Sequence, residues 1–114
     1  MGAKKITARF FVTEGGAEPV RDWLLKLARE DRKRIGDDIK AVEFGWPIGL
    51  PVCRPLGKGL YEVRTTLKNR IVRVLFAIEG DKMVLLHGFI KKSQATPDAD
   101  LNLARTRLQL FRRS

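Results

Sequence analysis

The sequence predicts an α+β fold in which an N-terminal helical hairpin and a C-terminal helix pack on a mainly antiparallel sheet. Three observations predict it: two helical segments in the first half of the chain, three alternating apolar segments separated by short turns in the second, and a final amphipathic segment. The expected order of elements is β-αα-βββ-α. At 114 residues, the chain is expected to form a single domain over residues 1–114.

The first half of the chain predicts one strand followed by two helices. Residues 5–13 mix β-branched and aromatic side chains, as strands do. Pro19 suits the first turn of a helix, and apolar residues recur from there to Leu27 at helical spacing. A second helix is expected over residues 30–44. Residues 46–59 contain three prolines and three glycines, so we expect a packed loop there.

The second half predicts three strands and a helix. The strands are expected over residues 60–67, 70–79 and 82–92, joined by two-residue turns. The final helix is expected to begin at Thr96-Pro97, with Thr96 as its N-cap. With these turns, the numbers of paired residues sum to 137 in the first hairpin and to 161 in the second. One face of the sheet then carries Tyr61, Val63, Val72, Val74, Phe76, Ile78, Met83, Leu85, His87 and Phe89.

The opposite face is predicted to carry a row of arginines. Arg64 is expected opposite Arg73, and Arg73 opposite Gly88, which would leave open space above the row. Two arginines directly opposed repel each other unless an anion or a carboxylate lies between them. Glu62, placed diagonally from Arg73, is one such partner and would give the row a structural role. The alternative is a phosphate clamp, because guanidinium groups bind phosphate oxygens in bidentate fashion.

The clamp hypothesis selects a set of candidate site residues around this row. The lysines at the end of the last strand, and one lysine of the preceding loop, add positive charge to the same region. The candidate clamp residues are Arg64, Arg73, Lys58, Lys91 and Lys92.

Other chemistry-bearing residues are assigned to the core. His87 is expected on the apolar face beside Val74, as a histidine held by one hydrogen bond. Cys53 is expected to be a buried or half-buried loop thiol, and Trp23 a core residue. Because the chain has one histidine and one cysteine, we expect no zinc site. We also expect no other metal and no cofactor.

The charge balance indicates a polyanionic partner. The chain carries 23 Lys and Arg against 13 Asp and Glu, a formal net charge of +10. Residues 1–50 account for +2 and residues 51–114 for +8, so the excess lies in the sheet-forming half. A single cysteine favours a reducing compartment, and no signal peptide or stretch of about 20 apolar residues is present. We therefore expect a cytoplasmic protein without a membrane partner.

The same residues carry a family resemblance. Residues 56–64 (LGKGLYEVR), 73–76 (RVLF) and 85–97 (LLHGFIKKSQATP) resemble the phage-derived Gp49-like group, which belongs with the HigB toxins of the RelE/ParE superfamily. With the helices on either side, the resemblance covers essentially the whole chain. The combination of the three segments is specific, whereas each segment alone is weak.

The resemblance implies the toxin of a type II toxin–antitoxin module. RelE-like members are endoribonucleases that cleave mRNA on the ribosome and are neutralised by a cognate antitoxin, here expected to be a helix-turn-helix protein. By position, Arg73 matches the arginine that supports the scissile phosphate, Arg64 an arginine typical of the group, and Lys92 or Ser93 a basic position after the last strand. The sequence lacks an obvious general base after that strand, which leaves Lys91 or Lys92 for proton transfer. The resemblance thus implies Arg64, Arg73, Lys91 and Lys92 as candidate catalytic residues, and Lys58, Arg70 and Ser93 as candidate RNA-binding residues.

Two alternatives from other classes remain at this point. One is a ParE-like protein that inhibits a DNA topoisomerase by binding, without cleaving anything. The other is a passive nucleic-acid-binding domain, for which a steep dependence of binding on salt and no growth arrest are expected.

Overall fold

The computed structural model describes residues 2–91 and 96–114, and these form an α+β fold. The α+β class predicted from the sequence is therefore confirmed. In chain order the elements are strand β1 (Thr7–Phe10), helices α1 (Pro19–Leu25) and α2 (Arg29–Gly45), strands β2 (Cys53–Gly57), β3 (Leu60–Leu67), β4 (Arg70–Glu79) and β5 (Lys82–Lys91), and helix α3 (Asp98–Arg113).

The strands form one mixed sheet in the order β1-β5-β4-β3-β2. β1 runs parallel to β5, and the other neighbours are antiparallel. The predicted order β-αα-βββ-α was wrong by one strand, because β2 lies where a loop was expected. β2 is an edge strand, and a proline such as Pro55 is tolerated there because its missing N–H faces outward.

The sheet is covered on both faces. The helical hairpin of α1 and α2 packs on one face, which we name the hairpin face, and α3 packs on the other, the α3 face. The buried apolar residues on the hairpin face include Val20, Ile35, Val42, Val63, Val72, Val74, Phe76 and Met83. Those on the α3 face include Leu60, Leu75, Ala77, Val84, Leu86, Ala104 and Leu108.

The β3–β4 hairpin has the predicted register throughout. Leu67 pairs with Arg70 and Arg64 pairs with Arg73. The β4–β5 hairpin begins in the predicted register, with Glu79 opposite Lys82, and then shifts by one residue. The shift is a β-bulge at Leu86, which has no partner on β4.

The bulge overturns two predictions about the last strand. Arg73 pairs with Phe89 and not with Gly88, so the expected open space above the arginine row is not there. Gly88 instead lies on the hairpin face, where a Cβ would come within 2.3 Å of Trp23 Cζ3. His87 and Phe89 are turned to the α3 face, so their assignment to the hairpin face was wrong.

α3 begins one residue later than predicted. Its N-cap is Pro97, and the Thr96 side chain does not cap the helix. The Thr96 hydroxyl instead donates a hydrogen bond to Glu62 Oε1 on the sheet, at 2.9 Å. Among the described residues, no helix combines the length and the apolar character needed to cross a membrane.

Candidate functional site

Three arginines surround one carboxylate on the α3 face. Glu62 Oε2 lies 2.6 Å from Arg73 Nη1, 3.0 Å from Arg54 Nη2 and 3.9 Å from Arg64 Nε. The other carboxylate oxygen, Oε1, accepts the hydrogen bond from Thr96. We name Arg54, Arg64, Arg73 and Glu62 the arginine cluster. Three guanidinium groups against one carboxylate leave it with a net charge of two positive units.

Strand pairing brings the cluster together. Arg54 on β2 is directly opposite Glu62 on β3, and Arg64 on β3 is directly opposite Arg73 on β4. Because opposed residues share a face, and because residues two apart on a strand also share it, all four side chains lie on the α3 face. The Arg64–Arg73 opposition predicted from the sequence is confirmed.

Burial divides the cluster into an inner pair and an outer pair. The side chains of Arg73 and Glu62 are 0% exposed, whereas 30% of Arg54 and 20% of Arg64 is accessible. A guanidinium group this deep must be compensated by an anion, and Glu62 fulfils that need for Arg73. An incoming ligand would therefore meet Arg54 and Arg64, with Arg73 behind them.

Arg64 combines a buried hydrogen-bond donor with an open approach from solvent. Within the part of the chain that the structure describes, its Nε is buried and has no hydrogen-bond partner. Its distance of 3.9 Å from Glu62 is an ion-pair distance and too long for a hydrogen bond. Arg64 also lines a groove of about 350 Å³ that continues past Thr66 to Arg34 and Asp38 of α2. The groove gives the arginine an open approach from solvent.

Two of the other predicted residues lie away from the cluster. Lys58 is in the β2–β3 turn, and Leu60, the first residue of β3, is already four residues, or about 13 Å along an extended strand, from Arg64. Arg70 pairs with Leu67, which packs on the hairpin face, and its guanidinium contacts Asp31 of α2. The structure therefore separates both residues from Arg64.

The remaining candidates are at the end of the last strand. Lys91 is the final residue of β5 and pairs with Ile71. Lys92 and Ser93 lie outside the described residues. Ile71 is two residues from Arg73 along β4. The backbone of Lys91 therefore lies near the same end of the strands as the cluster.

A second polar contact on the α3 face involves His87 and Asp100. His87 Nε2 lies 2.6 Å from Asp100 Oδ1 of α3, and both side chains are partly accessible, at 16% and 23%. The imidazole ring is stacked on the Phe89 ring, with 5.5 Å between centroids and 23° between the planes. Phe89 is the residue directly opposite Arg73. The histidine thus belongs to the same face as the cluster.

Cys53 is buried, and its thiol has low reactivity near neutral pH. It lies on β2, and not in a loop as predicted, with 1% of its surface exposed. Burial, with a smaller contribution from the negative charge of Glu62, raises the pKa of the Cys53 thiol to about 11. Because the thiolate is the reactive form, the residue is a poor nucleophile near neutral pH. Among the described residues, no group of three or more His, Cys, Asp or Glu side chains is arranged to hold a metal ion.

Sequence reasoning missed several members of this face. Arg54 was missed because β2 contains a proline and a glycine and was predicted to be a loop. Glu62 was considered only as a neighbour of Arg73, although its position opposite β2 makes it the centre of the cluster. Asp100 lies in the first turn of α3, where the helix dipole alone can account for an acidic residue, and the bulge that brings His87 to it has no clear signal in the sequence.

The fold and the cluster define a class of protein: a small α+β domain whose mixed sheet carries a partly buried cationic cluster beneath its C-terminal helix. The family model described as phage-derived protein Gp49-like (DUF891) matches residues 22–109, which is more than half of the 114-residue chain. The chain therefore belongs to the Gp49-like family, and the resemblance seen in the sequence is confirmed at that level. A comparison with curated proteins finds no match.

Proposed function

We propose that this chain is the cytoplasmic toxin of a type II toxin–antitoxin module, with a RelE-like fold, and that it is an mRNA endoribonuclease acting on the ribosome. One observation carries the proposal: the arginine cluster keeps an excess positive charge at a partly open place on a basic chain. Membership of the Gp49-like family supports it, because the sequence resemblance to HigB toxins rests on residues of this same sheet.

The cluster suits a phosphodiester of RNA better than a neutral ligand. One phosphodiester carries a single negative charge and two free oxygens, and it would bring the cluster closer to neutrality. Arg64 Nε offers a buried donor that has no hydrogen-bond partner among the described residues, so a phosphate oxygen would complete its hydrogen bonding. Arg54, the more exposed of the two outer arginines, would hold the second oxygen.

The chemistry we propose needs no metal or cofactor. The 2′-hydroxyl of the ribose attacks the neighbouring phosphorus, and the products are a 2′,3′-cyclic phosphate and a free 5′-hydroxyl. Negative charge grows on the phosphate oxygens in the transition state, and Arg64 and Arg54 would stabilise it. Arg73 acts through Glu62: it keeps that carboxylate in place, and the carboxylate fixes the side chains of the outer arginines.

The partners follow from this function. The substrate is mRNA, and the ribosome would present it. A cognate antitoxin, expected to carry a helix-turn-helix domain, would neutralise the toxin, and an acidic segment of it would cover the cluster because of the cluster's charge. Lys91, the last residue of β5, and Lys92, the next residue in the sequence, add two positive charges that would favour RNA binding.

Induction in bacterial cells tests the function against its rivals. Expression of the wild-type chain should arrest growth, and primer extension on cellular mRNA should show discrete new 5′ ends within minutes. Arg112→Ala is a matched control, since it also removes one arginine but breaks only the exposed pair with Glu79 at the end of α3. This control should cut mRNA as the wild type does, and Arg64→Ala should not.

Two other outcomes would overturn the proposal. Growth arrest with intact mRNA and altered plasmid supercoiling would show a ParE-like inhibitor of a topoisomerase. Normal growth together with salt-sensitive binding to any nucleic acid would show a passive binding domain.

A further inference from the structure

The bulge in β5 makes specific contacts with helices on both faces of the sheet. Leu86 has no partner on β4, yet its backbone carbonyl accepts a hydrogen bond of 2.7 Å from Arg107 Nη1 of α3. The shift also brings Gly88 under Trp23, where no side chain would fit. Bulges occur often beside active sites, where they re-aim a side chain. Here the re-aimed side chain is that of His87.

The hydrogen bond to Asp100 prepares His87 for proton transfer. The contact is 2.6 Å long, and in the tautomer whose Nε2–H donates to the carboxylate, Nδ1 is the nitrogen that can accept a proton. A carboxylate that orients an imidazole in this way also stabilises the charge that the ring acquires on taking a proton. Both side chains are partly accessible, so a substrate could reach the pair.

The pair and the arginine cluster are close and share their supports. Glu62 is opposite Leu75, and Leu75 is opposite His87, so the histidine is two strands, or about 10 Å, from the glutamate across the sheet. The first turn of α3 and the residue before its N-cap contact the two groups: Thr96 binds Glu62, and Asp100, four residues later in α3, binds His87. Cations for the phosphate and a base for the hydroxyl would thus lie on the same face of the sheet, with β4 between the histidine and the glutamate.

We propose that His87, held by Asp100, is the general base of the RNA cleavage; this inference rests on the proposed function. His87 Nδ1 takes the proton of the ribose 2′-hydroxyl while the bond from the 2′-oxygen to phosphorus forms. The bond from phosphorus to the 5′-oxygen breaks, and the 5′-oxygen takes a proton from water. The imidazolium then returns its proton to the hydroxide ion that remains. Lys91 and Lys92 are not needed for this proton transfer.

A purely structural role is the rival explanation, because the His87–Asp100 bond also fastens α3 to the sheet. Two variants separate the roles. In His87→Gln the side-chain amide can still donate to Asp100 but cannot take a proton, so cleavage of mRNA in a ribosomal translation reaction should fall at least about 100-fold. For the His87→Gly variant, added imidazole should raise the cleavage rate at least tenfold. Free imidazole is not attached to β5, so it cannot restore the rate by joining α3 to the sheet.

The control removes a different bond between α3 and the sheet. Arg112→Ala breaks the pair with Glu79, which joins the end of α3 to β4, and it should leave the cleavage rate within twofold of the wild type. The folding of every variant is checked by its circular dichroism spectrum and thermal midpoint.

The outcomes separate this inference from the proposed function. Wild-type cleavage together with His87→Gln cleavage at the wild-type rate would overturn the role of His87 and leave the nuclease proposal standing. A His87→Gly variant that is folded, inactive and insensitive to imidazole would also overturn it. No cleavage by the wild type, under conditions in which the chain arrests growth, would overturn both proposals.

Discussion

Arg73 Nη1 lies 2.6 Å from Glu62 Oε2, and neither side chain has any surface exposed to solvent. The pair lies on the α3 face of the sheet and joins β3 to β4, with Arg54 as a second contact of the same carboxylate oxygen. Buried ions of opposite charge depend on each other, because the loss of one leaves the other without compensation in a medium of low dielectric constant. This dependence makes Arg73 a structural support of the site as well as a member of it.

Substitution of Arg73 by methionine should destabilise the fold. We expect the free energy of unfolding to fall by about 3 kcal/mol, the low end of the range for broken buried pairs, because Arg54 still contacts Glu62. Urea denaturation followed by circular dichroism measures this. The double variant Glu62→Met/Arg73→Met should lose less than the single variant, since no buried carboxylate is then left. A single variant as stable as the wild type would contradict the interdependence.

Loss of toxicity in an Arg73 variant therefore does not identify a catalytic role by itself. The same loss would follow from unfolding or from a displaced Glu62. Arg64 is the better probe of function, since a fifth of its side chain is accessible and it is not the closest partner of Glu62.

Gly88→Ala tests the contact between α1 and β5. A Cβ at this position would lie 2.3 Å from Trp23 Cζ3, and the rigid indole ring must move to make room. We expect a loss of about 1–3 kcal/mol in the free energy of unfolding, as for other overpacked cores. In a Trp23→Leu background the same change should cost far less. If Gly88→Ala costs as much there as in the wild type, the indole contact is not the reason for the glycine.

Cys53 should make stability depend on pH in the alkaline range. The thiol has an ordinary pKa of 9.0 when the chain is unfolded and a pKa of about 11 in the buried site. Between these values the unfolded state ionises first, so the contribution of the thiol to stability is complete below pH 9 and is lost as the pH rises to 11. The difference in unfolding free energy between the wild type and Cys53→Ala, measured from pH 8 to pH 11, isolates this effect from that of the lysines.

The same burial predicts slow thiol chemistry. At pH 8 a pKa raised from 9.0 to about 11 lowers the thiolate fraction of Cys53 about 100-fold. Reaction of Cys53 with a disulfide reagent should accordingly be at least that much slower in the native protein than in urea. Equal rates in the two states would contradict the burial of the thiol.

The sequence predicted those parts of the fold that depend on local pattern. The Lys68-Asn69 turn and the alternating apolar residues set the β3–β4 register, and from it the Arg64–Arg73 opposition follows. The bulge at Leu86 could not be predicted in this way, because it satisfies tertiary contacts: Arg107 binds its carbonyl, and Trp23 needs the glycine two residues later.

The candidate site was predicted in part for the same reason. Arg64 and Arg73 are two residues of adjacent predicted strands, so counting along the hairpin brings them together. Arg54 comes from an edge strand that contains a proline. Thr96 precedes the N-cap of α3 and follows a short stretch of sequence that has no apolar periodicity. Their convergence on Glu62 depends on how distant elements pack, which periodicity in the sequence does not encode.

The most direct measurement of the central claim is the rate at which Arg64→Ala cleaves mRNA in a ribosomal translation reaction. Arg64→Ala should cleave at least about 100-fold more slowly than the wild type, the loss typical of one removed transition-state donor. Its thermal midpoint should stay within a few degrees of the wild type, and Arg64→Lys should recover part of the rate. A folded Arg64→Ala that cleaves as fast as the wild type would contradict the account.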